Sequence, residues 1–227
     1  DKEHQTLSNF LIKPLYHLAD PRDPKRVFSV TNVNGNTATL CVPTKELASV
    51  AGFNAAVESL GSFVASFMPR QYAALKEWWF DAEDTAIEVN TLGYIPGSNF
   101  YAFANGLFDG EKFIPVNEFG IVEVKGERFF IPVFSSIYNG NEGMFQHERK
   151  FVHNQESTVS FGHWAQLFCR AFSENDNGVI GVMFACASLF RSAISEHTNF
   201  FPMLFLFGMK GTGKSTFRDA ILSLFGT

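Results

Sequence analysis

The sequence predicts an α+β domain, built from helices and an antiparallel meander, followed by further helices and the first βα unit of an α/β domain. Three features support this fold class: period-two apolar runs between residues 86 and 133, helically spaced apolar runs on either side, and a glycine-rich loop near the carboxyl end. We divide the chain into residues 1–137 as an accessory domain, 138–159 as a polar connector, and 160–227 as a helical segment with the truncated start of the α/β domain.

The amino-terminal residues have the pattern of strands joined by turns. Leu7–Leu18 is an extended apolar run that Pro14 is expected to bend. Val27–Thr31 and Thr37–Val42 are rich in strand-forming residues and flank Asn34-Gly35. Asn-Gly between two such runs predicts a β-hairpin.

Two helices are predicted next. Thr44 is placed to cap a helix that runs to Leu60, and Pro69 is placed to begin another. An acidic group follows the second helix: Asp81, Glu83 and Asp84. We interpret this group as a solvated helix end, because most runs of charge lie at the surface.

The second helix carries neighbouring tryptophans, Trp78 and Trp79, for which two interpretations are open. Beside Arg70 and Lys76 they would form a platform on which the bases of single-stranded nucleic acid stack. The alternative is an amphipathic helix that docks its aromatic side in the core, which the buried habit of tryptophan favours.

From Ala86 the alternation of apolar and polar residues predicts strands in an antiparallel meander. The predicted strands are residues 86–92, 100–104, 112–116, 120–124 and 128–133. The polar connector follows, and three histidines lie in or just after it: His147, His153 and His163. Their spacing is irregular, so we expect surface histidines and no zinc site.

After the connector, the pattern predicts helices. Ser160 is placed to cap the first, and the polar stretch Ser173–Gly178 is placed to end it. Residues from Val179 to about Ser195 are apolar nearly all round, which predicts a deeply buried helix.

The glycine-rich loop, Gly208–Ser215, fits the pattern G-x-x-x-x-G-K-[ST] of a P-loop. Phosphate oxygens need a ring of backbone N–H donors, and the chain must approach them more closely than a Cβ atom allows. Gly208, Gly211 and Gly213 permit that approach and the positive φ angles it needs. The apolar run Phe201–Phe207 before the loop predicts a buried parallel strand, and Thr216–Phe225 after it predicts a helix.

In this pattern Lys214 would contact the β- and γ-phosphates of ATP, and the Ser215 hydroxyl would ligate Mg²⁺. The predicted binding residues are Gly208, Gly211, Thr212, Gly213, Lys214, Ser215 and Thr216. Residues 216–227 are too few to supply the second acidic strand and the arginine finger of an ATPase. We therefore expect a fragment of a larger ATPase that has no turnover by itself.

Charge and cysteine content narrow the class of protein. A net charge of −5 and a pI near 5.7 argue against a dominant basic face for nucleic acid. The three cysteines have no metal-binding spacing and predict reduced thiols in a cytoplasmic protein: Cys41, Cys169 and Cys186. The longest apolar run, Val179–Phe190, is too short to span a bilayer, so no membrane association is expected.

With the loop in place, the chain resembles primase–helicase replication proteins of bacteriophages and mobile elements. The resemblance depends mainly on Phe201–Thr216, which follows an α+β module, a polar connector and two predicted helices. Leu7–His17 and Lys25–Asn32 are also similar to the region ahead of the helicase core in those proteins.

The resemblance implies an ATP-driven DNA helicase of the superfamily 3 kind, with ATP and Mg²⁺ as cofactors, DNA as partner and a homo-oligomeric ring as assembly. Of the site residues of that family, only those of the loop have counterparts here. The zinc and metal motifs of the primases are absent from this sequence. The alternative is a non-catalytic binding or sensor module of another P-loop ATPase, in which Trp78 and Trp79 contact single-stranded nucleic acid.

Overall fold

The computed structural model describes residues 6–139 and 143–225. Its first three strands pair antiparallel to one another. They are β1 (Phe10–Ala19), β2 (Lys25–Asn32) and β3 (Thr37–Pro43). In the β2–β3 turn, Asn32 Oδ1 accepts the backbone N–H groups of Asn34 and Asn36, both at 3.0 Å. The hairpin predicted from Asn34-Gly35 is confirmed.

The later strands divide between two sheets. They are β4 (Asp84–Glu88), β5 (Gly93–Tyr94), β6 (Tyr101–Phe103), β7 (Gly106–Phe108), β8 (Phe113–Pro115), β9 (Ile121–Val124) and β10 (Glu127–Phe130). One sheet is mixed and has the order β3-β2-β1-β4-β10-β9, with β4 parallel to both β1 and β10. The other is the antiparallel meander β5-β6-β7-β8.

The α+β class is confirmed, whereas the single meander predicted over residues 86–133 is wrong. Strands β4, β9 and β10 pair in the six-stranded sheet, and only β5–β8 form a meander. The reason is that period-two alternation shows which residues share a face of a strand but carries no information about the strand's neighbours.

Two helices, α1 (Val50–Glu58) and α2 (Pro69–Ala82), pack on one face of the six-stranded sheet. The start of α2 at Pro69 is confirmed. The predicted helix start at Thr44 is wrong, because Ser49 caps α1 by accepting the Gly52 N–H at 3.1 Å. Short 3₁₀ turns occur at Glu46–Ala48, Pro132–Phe134, Ser136–Tyr138, Glu148–Lys150, Glu174–Asp176 and Ser223–Phe225.

The acidic group at the end of α2 is solvated at Asp81 and Asp84, as predicted, but not at Glu83. Glu83 forms an ion pair with Arg26 of β2, and their side chains are only 4% and 10% exposed. Arg26 also lies over the Phe80 ring, with 3.4 Å between the guanidinium carbon and the ring centroid. Asp84 begins β4 and pairs with Arg128 at 3.1 Å. Glu83 therefore fixes the end of α2 to the sheet, a tertiary role that charge spacing does not indicate.

The carboxyl-terminal part contains α3 (Phe161–Ala171), α4 (Asn177–Leu189), α5 (Arg191–Thr198) and α6 (Lys214–Leu222). The predicted cap of α3 is confirmed, since Ser160 Oγ accepts the His163 N–H at 3.2 Å. A cluster of apolar side chains joins α3, α4 and α6. Its buried members are Phe168, Ala185, Phe217 and Ile221.

The deeply buried helix predicted from Val179 to Ser195 is wrong in length and in burial. The segment forms two helices, α4 and α5, that meet at 83°. No single helix in the described residues has the length and apolarity to cross a bilayer. The buried residues of α4 are small: Gly178, Gly181 and Ala185. Val179, Ile180 and Met183 are exposed, because α4 packs against its neighbours through that small-residue stripe.

Cys41 of β3 provides a test of the packing on the other face of the six-stranded sheet. Burial raises the pKa of its thiol to about 11 from 9.0, and the carboxylates of Glu88 and Asp23 add to this while Lys25 opposes it. The thiolate is the reactive form. We expect native Cys41 to react with iodoacetamide at pH 8 at least about tenfold more slowly than in the urea-unfolded chain.

Mass spectrometry of labelled peptides measures this rate for Cys41 separately from Cys169 and Cys186. Equal rates in the native and the unfolded chain would show that the thiol is freely accessible, and would contradict the packing described above.

Candidate nucleotide-binding loop

The glycine-rich loop has the backbone that its sequence predicts. Gly208, Gly211 and Gly213 have φ values of 152°, 88° and 79°, which side chains with a Cβ atom rarely adopt. Gly213 is the N-cap of α6, so the helix begins at Lys214. The unpaired N–H groups and the positive end of the helix dipole therefore lie directly after the loop.

Lys214 folds back over this loop. Its Nζ donates to the carbonyl oxygens of Gly208 and Met209, each at 2.6 Å, and lies 3.4 Å from Thr212 Oγ1. The Thr212 hydroxyl donates to the Met209 carbonyl at 2.9 Å. The ammonium group thus sits at the centre of the loop, where it satisfies carbonyl groups. Ser215 and Thr216 are exposed in the first turn of α6.

The strand predicted at Phe201–Phe207 is not formed, and a βα unit is not confirmed. The segment is neither strand nor helix, and its backbone makes no hydrogen bond within the described residues. Leu204 and Leu206 pack against the carboxyl-terminal apolar cluster. The alternate residues Met203, Phe205 and Phe207 are 93%, 82% and 91% exposed. A buried parallel strand needs strands on both sides, and the strands described here pair elsewhere.

Aromatic packing fixes the position of α6 and hence of the loop. The Phe217 ring lies 5.1 Å from that of Phe168 and 4.9 Å from that of Phe172. A Cβ added to Gly181 would lie 2.7 Å from Phe217 and 2.9 Å from Phe168, so α4 approaches as closely as glycine allows. The first turn of α6 is therefore held against both α3 and α4.

A cleft of about 790 Å³ opens between the loop and the turn that joins α3 to α4. Thr212, Gly213 and Lys214 line one wall. Ser173, Glu174 and Asn177 line another, although the sequence pattern indicates for this stretch only a helix break. No regular spacing links these polar residues to the loop, and only the fold brings them together.

The two tryptophans of α2 do not form a stacking platform. Trp79 is 1% exposed in the core, whereas Trp78 is 56% exposed. Lys76 Nζ lies 3.5 Å from the Leu47 carbonyl and 5.7 Å from the Tyr72 ring centroid, so its ammonium group lies against the protein beside α2. The core interpretation is confirmed for Trp79, which removes one of the residues proposed to contact single-stranded nucleic acid.

The histidines of the connector region do not converge. His147 and His163 are exposed, as expected, whereas His153 is half-buried and stacks on Phe113 with ring centroids 4.5 Å apart. Asn105 holds the His153 backbone with hydrogen bonds of 2.9 and 3.0 Å. Within residues 6–139 and 143–225, no group of three or more histidine, cysteine or acidic side chains is placed to hold a metal ion.

No family model, curated protein or solved structure matches the chain. The resemblance to primase–helicases therefore depends on the loop motif and on the order of elements around it.

Proposed function

We propose that residues 208–215 bind the phosphates of Mg²⁺-ATP. The observation that carries this proposal is a loop with three glycines at positive φ that runs directly into a helix beginning at Lys214. That arrangement offers backbone N–H groups, a helix dipole and one ammonium group to an anion.

In the proposed complex Lys214 and Ser215 have separate roles. Lys214 Nζ exchanges the Gly208 and Met209 carbonyls for β- and γ-phosphate oxygens, which compete for the same ammonium group. Ser215, exposed in the first turn, ligates the Mg²⁺ ion. Gly211, Thr212, Gly213 and Thr216 surround the phosphates.

We further propose that the chain is part of an ATP-driven DNA helicase or primase–helicase of phage or mobile-element replication, which works as a homo-oligomeric ring. The support is the motif and the element order of the resemblance. Hydrolysis additionally requires an acidic residue for Mg²⁺ and water and an arginine finger.

Lys214→Ala is expected to weaken Mg²⁺-ATP binding by about tenfold or more, because a charge-assisted hydrogen bond to phosphate contributes about 1.5–3 kcal/mol. Isothermal titration calorimetry of the intact chain measures the change.

The matched control is Lys210→Ala, which removes an exposed charge from the same loop. It is expected to change the affinity by less than about threefold, since an exposed charge contributes little. If Mg²⁺-ATP does not bind the parent chain, or if Lys214→Ala leaves the affinity unchanged, the proposal is wrong.

A further inference from the structure

The cleft beside the loop extends past the phosphate position, and its second wall is chemically different from the first. About 790 Å³ falls within the roughly 300–1,000 Å³ typical of small-molecule sites. The loop supplies N–H groups and an ammonium group, which suit phosphates. The opposite wall supplies a carboxylate, an amide and a hydroxyl from Glu174, Asn177 and Ser173.

The second wall is held in place by tight packing. Phe172, directly before Ser173, packs edge-on against Phe217 at 4.9 Å, and the Phe217 N–H donates to the Gly213 carbonyl at 2.9 Å. The Gly178 N–H donates to the Phe172 carbonyl at 2.7 Å. A Cβ at Gly178 would lie 2.6 Å from the Cys169 backbone, so the turn closes only with glycine there. The α3–α4 turn and the loop thus share one rigid support.

The carboxylate of this wall does not suit a phosphate, and the wall as a whole suits a nucleoside. A carboxylate repels phosphate oxygens, whereas it accepts hydrogen bonds from ribose hydroxyl groups. An amide both donates and accepts, as the edge of a base requires. Glu174 and Asn177 are both exposed and line the cleft, so their side chains can meet a ligand there. Phe172 and Ile180 add apolar surface to the same cleft.

We propose that the α3–α4 turn is the nucleoside-binding half of the site, with Glu174 on the ribose hydroxyls and Asn177 on the sugar or base. This inference rests on the proposed function, because it assigns the loop to the phosphates. It makes the ligand a ribonucleoside triphosphate and makes the α3–α4 turn a determinant of specificity.

The experiment compares ligands that share the phosphates. Calorimetry of the intact chain with Mg²⁺ and inorganic triphosphate, ATP or 2′-deoxy-ATP is expected to give the tightest binding for ATP, by about tenfold over triphosphate. In Glu174→Ala and Asn177→Ala the affinity for ATP is expected to fall toward that for triphosphate. The affinity for triphosphate itself stays unchanged, which also shows that each variant is folded.

The control is Glu196→Ala on α5, which removes an exposed carboxylate outside the cleft and is expected to keep the preference for ATP. Equal binding of ATP and triphosphate by the parent chain, or an unchanged preference in both cleft variants, overturns the inference while the phosphate-binding proposal stands. If neither ligand binds the parent chain, both are overturned.

Discussion

Trp79→Ala is expected to lower the free energy of unfolding by about 3–5 kcal/mol, the range for deletion of a large buried aromatic side chain. The indole is 1% exposed and lies 5.5 Å from the Phe28 ring and 5.3 Å from the Phe53 ring. These rings join β2, α1 and α2, so the cavity would open at the point where the helices meet the sheet. Urea denaturation followed by circular dichroism measures the change.

The neighbouring residue provides the control for Trp79. Trp78→Ala removes the same side chain from the same helix at a 56% exposed position, and we expect a loss below about 1 kcal/mol. Trp79→Phe should lose less than Trp79→Ala, because Trp79 Nε1 has no hydrogen-bond partner among the described residues and most of the ring volume remains. Equal losses at positions 78 and 79 would contradict the packing described for α2.

Glu83→Ala is the second large effect that we expect, a loss of about 3–5 kcal/mol, because it leaves the buried Arg26 guanidinium without its counter-ion. The Arg26 side chain is only 10% exposed, and burial lowers its pKa. His17 of β1 lies opposite Arg26 of β2. Burial lowers the pKa of His17, and the charge of Arg26 lowers it further. Denaturant unfolding again measures the loss.

Two comparisons separate the buried charge from a simple loss of packing. The double variant Arg26→Met, Glu83→Leu is expected to be more stable than Glu83→Ala, because no charge is then left unpaired. Asp23→Ala breaks the exposed Lys45–Asp23 pair, whose atoms are 3.6 Å apart, and is expected to cost under about 1 kcal/mol. If Glu83→Ala costs no more than Asp23→Ala, the ion pair does not hold α2 to the sheet.

Features that depend on neighbouring residues were predictable from the sequence. The turn at Asn34-Gly35, the start of α2 at Pro69 and the cap of α3 at Ser160 each depend on contacts within a few residues. The positive φ values of the loop belong to the same class, because they fall on the three glycines of the motif, which permit them locally.

Features that depend on distant residues were not predictable. Apolar alternation could not show that β4 pairs in parallel with β1 and β10, and the charges near the end of α2 gave no sign that Glu83 meets Arg26. The pattern of Phe201–Phe207 indicates burial on both sides, but burial requires neighbours that the described strands do not provide. The cleft wall at Glu174 and Asn177 has no sequence signal, since packing of Phe172 on Phe217 places it there.

The strand order also implies an order in which the strands can pair during translation. The β1–β2–β3 unit can pair as soon as it emerges, but β1 waits for β4, and β4 waits for β10. About 100 residues separate Ala19 from Glu127, which at roughly 5–20 residues per second is about 5–20 s of translation. During that interval β1, and then β4, has an unpaired edge that is paired in the folded sheet, and an unpaired strand edge is a known site of wrong pairing. Slowed elongation across residues 89–126 should therefore lower the yield of soluble protein.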